Sequence, residues 1–129
     1  MTYIFIGIGG IVGSLLRFLF LSISVSIWGE GVPTGTPVIN ILGAFLLGAF
    51  TKKFSLSGRM NPKLKAAIST GAIGSFTTLS TLSSDVVLLL NRGSYFYAFL
   101  YVLLSVIGGL TAVYLGFKKV EQLDREEAK

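Results

Sequence analysis

Inside its apolar runs this chain holds almost no titratable chemistry; its polar groups there are hydroxyls, one amide, Arg17 and Asp85. Residues 69 to 84, Ser-Thr-Gly-Ala-Ile-Gly-Ser-Phe-Thr-Thr-Leu-Ser-Thr-Leu-Ser-Ser, crowd hydroxyls and glycines into a segment whose flanks read as membrane-spanning. Asn40 stands alone in a second apolar run, and Tyr97, Tyr101 and Ser105 recur at four-residue spacing, on one helical face, in another. An unsatisfied polar group in hydrocarbon costs several kcal/mol, so these groups are buried against protein or line a path for a ligand. With no cysteine and no histidine, thiolate chemistry, the usual metal ligand and the neutral-pH proton shuttle are all missing. There is no nucleophile paired with a base, no metal cluster and no phosphate loop with its lysine, so an enzyme is not expected.

The elements that position these groups follow from composition. Of 129 residues, 52% are hydrophobic and 13% charged, with mean hydropathy +0.76. A soluble domain carries about 25% charged residues, so this is an integral membrane protein. The length suits about four helices of roughly 20 residues. Four helices enclose little, which makes an oligomer the expectation. The formal charge of +5 does not point to nucleic acid, because the basic residues sit in loops between apolar runs.

The first helix is expected over 3–27 as a retained span, since no basic region precedes it and no small-residue cleavage pattern follows, as a signal peptide would need. Its Gly9, Gly10, Gly13 and Ser14 allow close helix approach. Arg17 faces protein, a vestibule or water, or snorkels to an interface. Helix two is expected over 37–51, with Thr36 and Pro37 as N-cap and first-turn residue. Its Asn40 is either a functional amide or interhelical glue. Helix three, over 63–90, starts at Asn61-Pro62 and carries the hydroxyl-rich stretch, where Gly71 and Gly74 favour a break and the hydroxyls can satisfy freed backbone groups. A continuous helix with a polar face is the other reading. After the tight turn Asn91-Arg92-Gly93-Ser94, helix four covers 95–117 before a short charged tail, 118–129.

Charge sets the topology. Lys52, Lys53, Arg59, Lys63 and Lys65 in one loop and Lys118, Lys119, Arg125 and Lys129 in the tail make nine cations on one side, against Arg92 alone on the other. The positive-inside rule then places both termini in the cytoplasm, if orientation is fixed.

Three blocks carry a family resemblance: Gly9-Gly10-Ile-Val-Gly13-Ser-Leu-Leu-Arg17, Asn40-Ile-Leu-Gly43-Ala-Phe-Leu-Leu-Gly48, and Gly71-Ala-Ile-Gly74-Ser-Phe-Thr77-Thr78-Leu-Ser80-Thr81. In content and order they resemble the signature of the Fluc (CrcB) fluoride channels. The resemblance implies an all-α membrane protein of four transmembrane helices, helix three broken near its middle, assembled as an antiparallel dimer with dual topology in the inner membrane. It implies passive fluoride efflux and hence fluoride resistance. It also implies a structural sodium ion at the dimer centre, with backbone carbonyls of Gly74 and Thr77 among its ligands. Asn40 matches the pore amide, Ser80 and Thr81 the hydroxyls after the break, and Tyr101 with Ser105 the polar track of helix four; Arg17 belongs to the vestibule. The chemistry is coherent beside that resemblance. A small anion holds water tightly, so a pore must replace hydration with amide and hydroxyl donors and aromatic ring edges.

The ring edges are the departure. The family's two pore phenylalanines fall on Leu79 and Leu82, an apolar wall with no quadrupole, and Gly109 stands where a third hydroxyl would continue the track. Together with the charge imbalance, this resembles one half-subunit of a channel built from two different subunits. A homodimer is the other reading, so the partner is a second copy or a paralogue. A small four-helix drug/proton antiporter is a poorer match, because helix one has no carboxylate and Asp85 lies near a helix end.

Overall fold

Long apolar runs with few turn residues leave the backbone to satisfy itself, and it does so as helices. The computed structural model describes residues 1–29, 33–57 and 60–127, side chains excepted at 55–57 and 127. Its elements are α1 (Thr2–Trp28), α2 (Gly35–Ser57), α3 (Pro62–Ala66), a π-helical segment (Ala67–Ile73), α4 (Gly74–Phe76), α5 (Leu79–Asn91) and α6 (Tyr95–Glu127). The run from Pro62 to Asn91 is one span in pieces, so among the described residues there are four helical spans long and apolar enough to cross a membrane. Helix three is broken near its middle, as the sequence led us to expect.

Local chemistry explains where the helices begin and end. The Asn61 side chain accepts the Lys63 amide at 3.0 Å with Pro62 in the first turn, which caps α3. At the turn before α6, Gly93 takes φ 72°. There the Gly93 amide reaches the Leu90 carbonyl at 2.9 Å and the Ser94 amide the Leu89 carbonyl at 3.0 Å, the paired bonds that close a helix on a left-handed glycine.

Three boundaries differ from the sequence expectation. Helix two begins at Gly35, which puts Thr36 inside the first turn, and it runs past residue 51 to Ser57. Helix four does not stop at 117: the charged stretch from Lys118 continues α6 to Glu127. Polar residues there pair along and between helices, with Arg125 on Glu121 at 3.0 Å one turn away and Lys52 of α2 on the same carboxylate at 3.9 Å. Arg59 and Lys129, both counted in the charge bias, lie outside the described residues.

Two glycine seams hold the bundle. Gly9 and Gly13 of α1 lie against the backbone carbonyls of Ala67 and Ala72, and Gly71 lies against that of Ile6, so a methyl group at any of the three would overlap backbone. The close approach expected of Gly9 and Gly13 is therefore present. The second seam joins α2 to α6, with Gly48 against the Val113 carbonyl and Gly116 against that of Phe45. Between the seams there is little core. Ile39 is the largest fully buried side chain among the described residues, and exposed apolar side chains occur on every span. That surface needs lipid or another subunit.

Candidate functional site

The break is two residues long. Thr77 (φ −78°, ψ 155°) and Thr78 (φ −151°, ψ 122°) are extended between α4 and α5. Before them, Gly71 and Gly74 and the wide π-helical turns weaken the helix. The Thr77 amide still reaches the Ile73 carbonyl at 3.1 Å, and its hydroxyl lies 3.3 Å from the carbonyls of both Ile73 and Gly74. The Thr78 amide leaves the helical pattern altogether.

Asn40 of α2 receives it. The Thr78 amide donates to Asn40 Oδ1 at 2.8 Å, and Asn40 Nδ2 donates to the Thr78 carbonyl at 2.9 Å. Two opposed bonds to one residue's backbone make a latch. They also fix which way round the amide sits, since the backbone N–H must meet the oxygen. Thr78 then restarts the helix: its Oγ1 accepts the Thr81 amide at 3.2 Å and lies 3.1 Å from both Ser80 Oγ and Thr81 Oγ1. Thr78, 7% exposed, is the hub, a role the sequence reading did not assign. The signal was there: an N-cap threonine followed by two hydroxyls within one turn.

Asn40, Gly74, Thr77, Thr78 and Leu79 line one open cleft of about 400 Å³. An amide nitrogen carries two hydrogens, and Asn40 spends one on Thr78, leaving a donor at a cleft wall. Leu79 is 77% exposed, whereas Leu82 is half-buried. Gly74 and Thr77 line the same cleft, and the amide that a continuous helix would bring to the Gly74 carbonyl, that of Thr78, is on Asn40 instead. Carbonyl oxygens suit a hard cation, which takes more ligands than the carbonyls of these two residues could supply. Among the described residues no three carboxylate or other metal-ligating side chains come together.

A second cleft, of about 250 Å³, is lined by Ser24, Thr36, Thr81 and Asp85 with apolar neighbours. Tyr101 donates to Asp85 Oδ2 at 2.7 Å. The polar stripe of helix four thus has the polar neighbour it required. That neighbour was also legible, because a hairpin closed at residues 91–94 brings positions about equally distant from the turn to the same height. The stripe is not uniform, however. Ser105 turns its hydroxyl back on the Tyr101 carbonyl at 2.7 Å, Tyr97 is exposed, and Gly109 has open space beside it. Arg17, half-buried on α1, makes no hydrogen bond or ion pair among the described residues. The structure therefore brings Asn40, Ser80, Thr81, Gly74, Thr77 and Leu79 together around Thr78, and sets Tyr101 and Ser105 apart on α6.

Residues 4–117 match the family model described as CrcB-like protein, Camphor Resistance (CrcB). The chain is 42% identical over 114 residues to a fluoride-specific ion channel FluC 1 of Desulfitobacterium hafniense (strain Y51), covering 88% of this chain and 97% of that one. It is 41% identical over 128 residues to a fluoride-specific ion channel FluC 2 of Geobacillus kaustophilus (strain HTA426), covering 98% of each. A fluoride-specific ion channel FluC of Shewanella amazonensis (strain ATCC BAA-1098 / SB2B) is 40% identical over 113 residues, 88% of this chain and 90% of its own.

Proposed function

Because the chain belongs to the CrcB-like protein family, we propose that it is a fluoride channel subunit that lets fluoride leave the cell passively and so confers fluoride resistance. The observation that carries the reading is the latch between Asn40 and Thr78. It holds helix three open at membrane depth and leaves an amide donor at the wall of a cleft. A channel for a strongly hydrated anion needs fixed, uncharged donors that replace water without binding too tightly to release. The hydroxyls of Ser80 and Thr81 stand next along the helix, and Tyr101 and Ser105 supply the polar track of α6. Arg17 draws anions into the vestibule.

The working unit is a dimer of antiparallel subunits. A lone bundle encloses almost no core, and the carbonyls of Gly74 and Thr77 need counterparts from across an interface to hold a sodium ion there. Such an ion would fix the two breaks against each other. The site for the chain is the inner membrane, with both termini cytoplasmic when orientation is fixed.

A second reading is supported by Leu79, whose exposed side chain gives the cleft an apolar rim without a ring edge. On this reading the chain is the half-subunit of a channel made with a paralogue, held in one orientation by its charge bias. Fluoride efflux from liposomes containing this chain alone, with chloride as control, separates the two. Fluoride-selective flux establishes a homodimer. Absent flux that returns when a paralogous subunit is added establishes the pair, and absence under both conditions removes the channel function. Cysteine labelling at position 53 adds the orientation, since an even split between the two sides would sink the fixed-topology reading.

A further inference from the structure

Where α6 leaves the apolar span, it carries two adjacent lysines, Lys118 and Lys119, over an apolar floor. Phe45 of α2 and Leu115 of α6 form that floor, and Gln122 completes the lining of a cleft of about 340 Å³. The lysines are exposed and Leu115 is 51% exposed. The nearest carboxylate one turn along α6 is already committed. Glu121 pairs with Lys52 at 3.9 Å and with Arg125 at 3.0 Å, whereas neither Lys118 nor Lys119 has an ion pair among the described residues. Lys118 instead lies 5.9 Å from the centre of the Tyr114 ring, a weak attraction at that distance.

We propose that this cleft binds an anionic phospholipid of the leaflet on the basic side, its phosphate held by Lys118 and Lys119 and an acyl chain laid along Leu115 and Phe45. Charge and polarity change in the right order along the cleft. Apolar side chains lie toward the membrane interior, the cations follow at the edge, and the amide of Gln122 comes last, matching acyl chain, phosphate and polar headgroup. Basic pockets between spans at this depth select lipids by headgroup charge. The continuation of α6 beyond the span is what builds the site, because only a helix carried through to residue 122 brings Gln122 over the same cleft as Leu115.

The test is native mass spectrometry of the purified, assembled protein in detergent, titrated with phosphatidylglycerol or phosphatidylcholine of matched acyl chains. Four forms are compared: the unmodified protein, Lys118→Gln with Lys119→Gln, Leu115→Trp, and the control Lys53→Gln with Lys65→Gln, which removes equal charge from the same side. The unmodified protein and the control are expected to retain phosphatidylglycerol at least fivefold more than phosphatidylcholine, with one lipid per chain. The Lys118/Lys119 double variant is expected to lose that preference. Leu115→Trp, which fills the floor and leaves the charges, is expected to lower retention of both lipids. Equal loss in the Lys53/Lys65 control would show general attraction and overturn the site. So would undiminished preference in the Lys118/Lys119 variant, or its dissociation into single chains, since the latter would make the cleft a subunit contact.

Discussion

The two glycine seams use the same device for different ends. In each, glycines let a neighbouring backbone carbonyl come within van der Waals range, Gly9 and Gly13 for α1 against helix three and Gly48 and Gly116 for α2 against α6. Across the second seam both helices stay continuous, and hydroxyls such as Ser105 and Thr111 bond within their own helix at 2.7 Å. Across the first, the partner is a π-helical segment followed by the short α4 and then a two-residue break, and polar groups from another helix must complete it. Close packing alone therefore does not make a site. The distinguishing element is Asn40, which supplies from α2 what the broken backbone has lost.

Removing Asn40 should have the largest effect. Asn40→Leu strands both the amide and the carbonyl of Thr78, each at roughly 1–3 kcal/mol. Fluoride flux in any conducting assembly is expected to fall by an order of magnitude or more, with a lower melting temperature in detergent. Asn40→Asp keeps the acceptor for the Thr78 amide but not the donor, so it should retain part of the stability and little of the flux. Unchanged flux in both variants would remove Asn40 from the pore.

Much of this is legible in the sequence, and the reasons are physical. Span number, the glycine contacts of Gly9 and Gly13 and the break itself follow from composition and local propensity, which act over a few residues. The role of Asn40 was open between functional amide and interhelical glue. It bonds across helices to Thr78, and its second N–H remains for the cleft, so one side chain serves the structural role and leaves a donor for the other. Thr78 was quoted within a motif without a role, because a residue that bonds through its own backbone looks like any other threonine in a list of types. The continuation of α6 past residue 117 was missed because charge alone reads as a solvated tail. The pairing of Glu121 with Lys52 depends on a helix 69 residues away in sequence.

The seams themselves come next in size. Gly13→Val and Gly116→Val each press a side chain into backbone that cannot yield as a side chain would, and overpacking of this kind costs about 1–3 kcal/mol. Both should lower the melting temperature, but only Gly13→Val acts next to the π-helical segment, so flux per assembled protein should fall there and hold in Gly116→Val. Gly109→Ala, with open space around it, should leave stability the same or raise it by up to about 1 kcal/mol through helix propensity. Equal flux losses in the two valine variants would erase the functional distinction between the seams.

Smaller again is the cap. Thr78→Ala deletes the oxygen that accepts the Thr81 amide, at a cost of about 0.5–2 kcal/mol, while Thr78→Ser should keep most of the stability. Ser105→Ala removes a hydroxyl bonded only to its own helix, and should change stability by less than about 0.5 kcal/mol. A larger stability loss for Ser105→Ala than for Thr78→Ala would mean that the continuous seam, not the broken one, depends on its hydroxyls.

The smallest change in stability, and the sharpest in meaning, is expected at Leu79. Because Leu79 is 77% exposed while Leu82 is half-buried, a ring at position 79 meets no packed wall in the single chain, but a ring at 82 displaces neighbours. Leu79→Phe should thus leave the stability within about 0.5 kcal/mol of the parent. The Leu79→Phe with Leu82→Phe pair should lose about 1–3 kcal/mol. If the apolar rim is what limits the chain, the positive edge of the new ring at the cleft should raise fluoride flux in the single variant, since ring edges attract a partly dehydrated anion. Size-exclusion chromatography of both variants comes first, so that flux is compared between equal assemblies. Raised flux at unchanged stability would place Leu79 on the anion path. Unchanged flux, with the assembly intact, would move the path away from this face of α5 and leave the Asn40 cleft as an anchor for the break.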